Sequence, residues 1–321
     1  MPGFAFRLGI DIEDMTMGPL YCHLDSALQK ALSEVIGSAS GSPPGFDSVS
    51  DIGGGSISRA LLVESARQRY FVKLNDAGLA EMFAAEADGL SALAGCPAVR
   101  VPRVFGHGVA ARQAYLVLEY LPLQALRDRT QGSAAGHALA TMHRIQGAQH
   151  GWHRDNFIGS TPQSNAQHRN WPFFFARQRL LPQLERAKRH AQHDKLIRSG
   201  ERLSEKLAAL FVDHQPQPSL LHGDLWHGNA ATDASGTLAL FDPAVYFGDR
   251  ETDLAMSELF GGFPDSFYAA YREAWPLDEG FEQRKTLYNL YHVLNHLNLF
   301  GSGYLHQAER MIARLLAEIA G

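Results

Sequence analysis

Residues Leu220–Asp242, LLHGDLWHGNAATDASGTLALFD, constrain the chain more than any other stretch. Two short apolar runs, Ser219–Leu221 and Leu238–Phe241, are bounded by Pro218 and by the Asp-Ala-Ser-Gly run at 233–236, the pattern of short buried strands. His222–Asn229 therefore forms a loop between rigid supports, where reactive side chains tend to be placed. The loop carries Asp224 and, five residues on, Asn229, and Asp242 closes the second run. Transfer of a phosphoryl group to an alcohol needs a carboxylate beside the attacking hydroxyl and oxygen ligands for the ions on the phosphates. Asp224 suits the first task as general base. Asn229 and Asp242 suit the second, because Mg2+ prefers hard oxygen donors. A single motif of this length also arises by chance, and both residue types cap turns, so the chemistry needs its other parts elsewhere.

The first third of the chain supplies them. Apolar residues from Leu24 to Ile36 recur at helical spacing, with Gly37 as the expected end and a Gly/Ser/Pro loop at 38–45. Phe46–Ile52 then leads into Gly53, Gly54 and Gly55, followed by strand-like runs Ala60–Glu64 and Arg69–Leu74 about a polar turn at 65–68. Three glycines let backbone N–H groups approach a phosphate, although alone they make only a tight turn. Lys73 interrupts the apolar strand Tyr70–Leu74. Facing inward behind a glycine lid, it resembles the phosphate-pairing lysine of the kinase fold; facing outward, it would be an edge charge. A buried ammonium needs a carboxylate. The helix expected over 79–93 offers Glu86 beside its apolar face, with Glu81 as the competitor pointing elsewhere. Two further strands, 103–108 and 114–121, end at Pro122. In a kinase-like chain the backbone of Glu119, Tyr120 and Leu121 would meet the adenine of ATP.

Beyond that connector the chain reads as helical: 133–145, then a long polar loop at 151–171, helices near 172–192 and 195–213, and after a loop at 243–251 further helices from 252, 264, 280 and 303. The expected fold is α+β and two-lobed, with a small antiparallel-sheet N-lobe at 21–121, a mostly helical C-lobe at 122–321 and a tail at 1–20. At 321 residues each lobe can hold a core. A net charge of −5 with the signs interspersed gives no footprint for nucleic acid. No apolar run reaches the length of a membrane span, and Cys22 and Cys96 have no metal-site spacing. A cytoplasmic monomer is the expectation.

His222-Gly223-Asp224-Leu225-Trp226-His227-Gly228-Asn229, followed by Phe241-Asp242-Pro243-Ala244-Val245-Tyr246, resembles the signature of the fructosamine kinase (ketosamine-3-kinase) family, a branch near aminoglycoside phosphotransferases and choline kinases. The tryptophan after HGDL and the DPAVY run point to this branch. It also covers Gly54-Gly55-Ser56-Ile57 near the lid, Asp155–Gln163, Arg250–Met256 and Leu290–His296, and so runs from about residue 24 to the C-terminus. It implies ATP-dependent, Mg2+-assisted phosphorylation of the 3-hydroxyl of a small-molecule or protein-bound ketosamine, giving an unstable 3-phosphate that breaks down and frees the amine. Trp226 would then face the substrate or simply pack under the loop. His292, Asn295 and His296, at i, i+3 and i+4, would line the sugar pocket or form a polar core cluster. His222 reads as a structural hydrogen-bonding residue and His227 as exposed. Ser56 stands where many members carry cysteine, so redox control through that thiol does not carry over. Two alternatives share the catalytic residues or part of them: a kinase for choline or an aminoglycoside-like amine, and a nucleotide-binding pseudokinase, against which the intact Lys73, Asp224, Asn229 and Asp242 argue.

Overall fold

The computed structural model describes residues 24–41, 45–52, 57–190 and 193–320, so Gly53, Gly54 and Gly55 lie outside the described residues. The chain divides into two compact units: one holds the described residues through Leu126 together with His227–Pro243, the other Arg127–Trp226 and Ala244 onward.

In the first unit, α1 (Ser26–Ser40) starts where the Asp25 carboxylate accepts from the Ala27 N–H at 2.8 Å, a side-chain cap for an otherwise unpaired donor. It buries Leu28, Leu32 and Ile36 completely, one face at i, i+4 and i+8, each contributing about 1.5–3 kcal/mol. The helix continues through Gly37 to Ser40 and stops at Gly41, so the expected end at Gly37 is corrected: the buried face outweighs the small propensity cost of one glycine. The sheet comprises β1 (Ser48–Asp51), β2 (Arg59–Ser65), β3 (Gln68–Asp76), β4 (Val104–Ala110) and β5 (Gln113–Glu119), with α2 (Ala80–Leu93) between β3 and β4. All neighbours are antiparallel, in the order β1-β2-β3-β5-β4. Central β3 and β5 carry unbroken buried runs, the pattern of strands covered on both faces.

The second unit is mostly helical. It begins with α3 (Arg129–His143), followed by a small hairpin of β6 (Asn156–Ile158) and β7 (Thr161–Gln163) inside what the sequence suggests is irregular loop. Next, α4 (Trp171–Phe175) runs through one π-helical stretch into α5 (Leu181–His190), and α6 (Asp194–Lys206) follows. After β8 (Ser219–Leu221) the chain contributes β9 (Ala230–Thr232) and β10 (Leu238–Leu240) to the first unit. It then resumes with β11 (Tyr246–Gly248), α7 (Glu251–Leu259), α8 (Asp265–Ala274), α9 (Phe281–Phe300) and α10 (Leu305–Ala320). β8 pairs with β11, and Trp171, Phe174, Phe175 and Tyr288 fill the core that α9 crosses.

The expected split, with everything after 121 in one helical lobe, therefore needs correction for 227–243. The β9–β10 hairpin is tied to the first unit by backbone bonds that Thr232 and Gln124 exchange at 2.8 Å each way, and by bonds from Arg100 N–H to Leu238 O (2.7 Å) and Leu240 N–H to Arg100 O (2.8 Å). Its buried strands need those partners for their backbone groups.

Helices α3 and α8 approach through Gly132 and Gly136. A Cβ on Gly136 would run into the backbone oxygen of Phe267, whereas one on Gly132 would first meet the movable Ser266 hydroxyl. Gly136→Ala is expected to lower unfolding stability by about 2–3 kcal/mol and Gly132→Ala by less than half as much. Urea unfolding of the two variants checks this, and the reverse order would contradict the packing described.

Candidate active site

In the first unit the geometry centres on Lys73. It sits in β3 opposite Ala60 and Leu116, 4% exposed, with its ammonium donating to Glu86 Oε1 at 2.6 Å and to Asp242 Oδ1. Glu86 reaches it from α2; Glu81 is exposed on the same helix. Burial pushes the Glu86 carboxyl up to about 7 against the pull of Lys73. Burial alone would weaken the Lys73 ammonium, but Asp242 and Glu86 hold it above its usual range. One ammonium between two carboxylates leaves an excess of negative charge at this point, which a divalent cation can offset.

Asn229 and Asp242 are brought to one end of the β9–β10 hairpin by its register. Ala230 pairs with Leu240, and Phe241 N–H donates to Asn229 O at 3.2 Å, so Asn229 directly precedes one strand and Asp242 closely follows the other. Asp242 holds a left-handed backbone (φ 55°), unusual for a residue with a side chain and frequent at functional turns. An amide oxygen and a carboxylate fit Mg2+, and these two residues would hold it. Along the connector the Glu119 N–H already donates to Arg103 O at 2.8 Å and its carboxylate binds Arg100 at 2.5 Å, while Tyr120 lies beside Arg69 and Leu121 is buried.

In the second unit the loop ahead of Asp224 is gripped from below. Asp253, 1% exposed on α7, accepts from the backbone N–H groups of His222 (Oδ2, 2.7 Å) and Gly223 (Oδ1, 2.9 Å), and His143 on α3 reaches the same Oδ2 at 3.2 Å. Burial works to raise the Asp253 pKa, but His143 and the Gly223 N–H bring it below the usual carboxylate range. Gly223 takes φ 81°, and a Cβ there would meet Ala244 O, so only glycine fits between His222 and Asp224. The Asp224 N–H donates to His222 Nδ1 at 3.2 Å; His222 is fully buried and His227 exposed. Nothing local in the sequence marks Asp253, inside the Arg250–Met256 run, as an anchor for a loop thirty residues earlier.

The α9 trio separates. His292 is 2% exposed, with Nδ1 3.9 Å from Asp224 Oδ1, and burial followed by the neighbouring His296 pushes its pKa down to about 3, so the ring is neutral. His296 is half-buried and bonds His292 O through Nδ1 at 2.8 Å. Asn295 is buried, its amide accepting from Gln183 at 3.2 Å and donating to Ile158 O at 3.4 Å. Trp226 is half-buried and edge-on to Phe260, ring centres 6.1 Å apart. A buried amide network of Asn156, Gln163 and Asn165 ties β6 and β7 to Val245 O (2.7 Å) and Ala244 O (3.3 Å). The Ala244 N–H donates to His222 O at 2.8 Å, so the network supports the same loop. Among the described residues, His214, Asp249 and Glu251 also cluster closely enough to hold an ion. Their atoms are committed: His214 bonds Asp249 (2.7 Å) and Asp278 (2.6 Å), and Arg284 bonds both Glu251 oxygens (2.7 and 2.8 Å).

The family described as Fructosamine kinase matches residues 28–318. The "Probable ketoamine kinase" of Synechocystis sp. is 43% identical over 290 residues, covering 89% of this chain and 96% of that protein. The chloroplastic protein-ribulosamine 3-kinase of Oryza sativa subsp. japonica is 39% identical over 267 residues, covering 82% and 77%. A crystal structure from Haemophilus somnus 129PT, assigned as a fructosamine-3-kinase, superposes with a TM-score of 0.80 at 30% identity over 90% of this chain and 98% of that one. Aminoglycoside phosphotransferase APH(4)-Ia in complex with ADP and hygromycin B shares the fold, with a TM-score of 0.62 at 17% identity over 90% and 98%.

His150, pushed down to about 4 chiefly by burial, and His292 are both neutral in the folded chain near pH 7. As pH falls below about 6.5 the unfolded imidazoles take up protons that the buried rings do not. Their contribution is therefore intact above that value and is lost toward pH 4, by about 1.4 kcal/mol per pH unit for each ring. The His150→Gln, His292→Gln double variant is expected to show a flatter dependence than wild type in urea unfolding between about pH 7 and about pH 5. Parallel curves would contradict it.

Proposed function

The chain belongs to the fructosamine kinase family, and we propose that it transfers the γ-phosphoryl group of ATP to the 3-hydroxyl of a ketosamine. The observation that carries the chemistry is the buried pairing of Lys73 with Glu86 and Asp242, which fixes one cation beside a metal-binding carboxylate. Lys73 neutralises phosphate oxygens of ATP, held in place by Glu86. Magnesium, held by Asn229 and Asp242, supplies charge neutralisation on the phosphates when bound. From the sequence, Gly53, Gly54 and Gly55 are assigned to the phosphates of ATP, and the backbone of Tyr120 and Leu121 to the adenine.

Asp224 accepts the proton of the 3-hydroxyl as its oxygen bonds to the γ-phosphorus and the bond to ADP breaks. The grip of Asp253 on the two preceding N–H groups holds that carboxylate in position without reorganisation during the reaction. His292, neutral and near Asp224, orients a sugar hydroxyl, and Trp226 faces the substrate. The resulting 3-phosphate breaks down and releases the amine. Among the described residues no helix is long and apolar enough to cross a membrane; action as a monomer in the cytoplasm, where ATP is abundant, belongs to the same proposal.

Asp224→Asn is expected to lower kcat by about 10³-fold with ATP affinity nearly unchanged, because the amide cannot accept the proton. Retained turnover would remove the base. Chelation of magnesium and Asp242→Ala are each expected to abolish turnover, and metal-independent activity would contradict the assignment. An ATP-consumption screen over ribulosamine, fructosamine, choline and an aminoglycoside is expected to respond to the first two; turnover of the last two alone would overturn the acceptor.

A further inference from the structure

On α9 the residues His292, His296 and Phe300 lie at i, i+4 and i+8, on one face of the helix. At a rise of about 1.5 Å per residue they mark out about 12 Å. The line begins 3.9 Å from the Asp224 carboxylate, at His292. The His296 ring centre lies 4.8 Å from that of Phe260, 5.4 Å from Phe300 and 5.2 Å from Tyr304, and Phe260 continues to Trp226. His292 is buried, Trp226, Phe260, His296 and Tyr304 are half-buried, and Phe300 is 56% exposed. The strip leads from the proposed base to open solvent, and none of its rings belongs to an acidic or always-charged side chain.

Resting on the ketosamine reading of this site, we propose that Phe260, His296, Tyr304 and Phe300 extend the Trp226 face into an aromatic rail that selects acceptors by the arm beyond their amine, the lysyl arm of a protein-bound ketosamine being the one that spans it. The chemistry of a ketosamine matches the strip in order. Four bonds from the attacking oxygen stands a secondary amine, protonated near neutral pH, which aromatic faces attract. Burial lowers the His296 pKa, so that ring brings no competing positive charge. Beyond the nitrogen a lysyl arm has four methylenes, which gain from an apolar floor. From the attacking oxygen to the lysyl Cα there are nine single bonds of about 1.5 Å, about 11 Å when extended, which matches the length of the α9 face. The peptide then emerges at Phe300, where the ring is exposed and a chain can continue. The ketosamine of methylamine ends before the rail does.

The experiment compares a peptide carrying one ribulosyl-lysine with ribulosyl-methylamine as acceptors, for wild type, Phe300→Ala and Phe300→Trp. Phe300→Ala is expected to lower the ratio of kcat/KM for the peptide to that for the methylamine adduct about tenfold, with the loss in KM, and Phe300→Trp to restore it. An unchanged ratio in Phe300→Ala, or a loss that Phe300→Trp does not recover, overturns the rail while leaving ketosamine phosphorylation standing. If the wild type phosphorylates neither adduct, the functional reading fails and the rail falls with it.

Discussion

A lysine ammonium buried in the middle of a sheet cannot be left unpaired, and this requirement organises the first unit. Leaving Lys73 in β3 without a partner would cost several kcal/mol. α2 meets the need with Glu86, and the β9–β10 hairpin meets it with Asp242. The hairpin belongs to the first unit although it follows the proposed catalytic loop in sequence. The same pairing leaves two carboxylates around one cation, a charge balance that suits the addition of magnesium and phosphate better than it suits a finished structural ion pair.

The second unit solves a different problem, that of holding a reactive carboxylate still on a loop. Asp253 does this by satisfying two backbone donors ahead of Asp224, and Gly223 makes it geometrically possible by taking a conformation closed to other residues. The amide network of β6 and β7 backs the segment that follows Asp242. Each support is buried and hydrogen-bonded, so the loop is positioned by the cost of breaking those bonds rather than by its own propensity.

What could be read from the sequence follows from which constraints are local. The Lys73–Glu86 partnership was legible because a charge within an apolar strand demands a carboxylate on the next helix, and the Asp224, Asn229 and Asp242 spacing was legible because oxygen donors flank short buried strands. The turn at 65–68 was legible in place but not in conformation, since Ala66 and Arg67, like Ala111 and Arg112, take positive φ without glycine or asparagine to announce it. Gly37 looked like a helix end because the buried face that carries α1 past it becomes apparent only once the sheet is in place. Asn295 shares a helix face with His292 and still turns into the core, since its amide finds Gln183 and Ile158 there. Asp253, whose partners are backbone groups distant in sequence, was visible only as part of a family resemblance.

The central claim is that the acceptor oxygen is the 3-hydroxyl of a ketosamine. Phosphorus–proton correlation NMR on the product of ATP and ribulosyl-methylamine, recorded before the ester breaks down, addresses it most directly. The account predicts a phosphorus signal coupled to the proton on C3, followed by release of free methylamine as that signal decays. Phosphorus coupled to the protons of another carbon, or inorganic phosphate formed with no phosphorylated sugar, would contradict it.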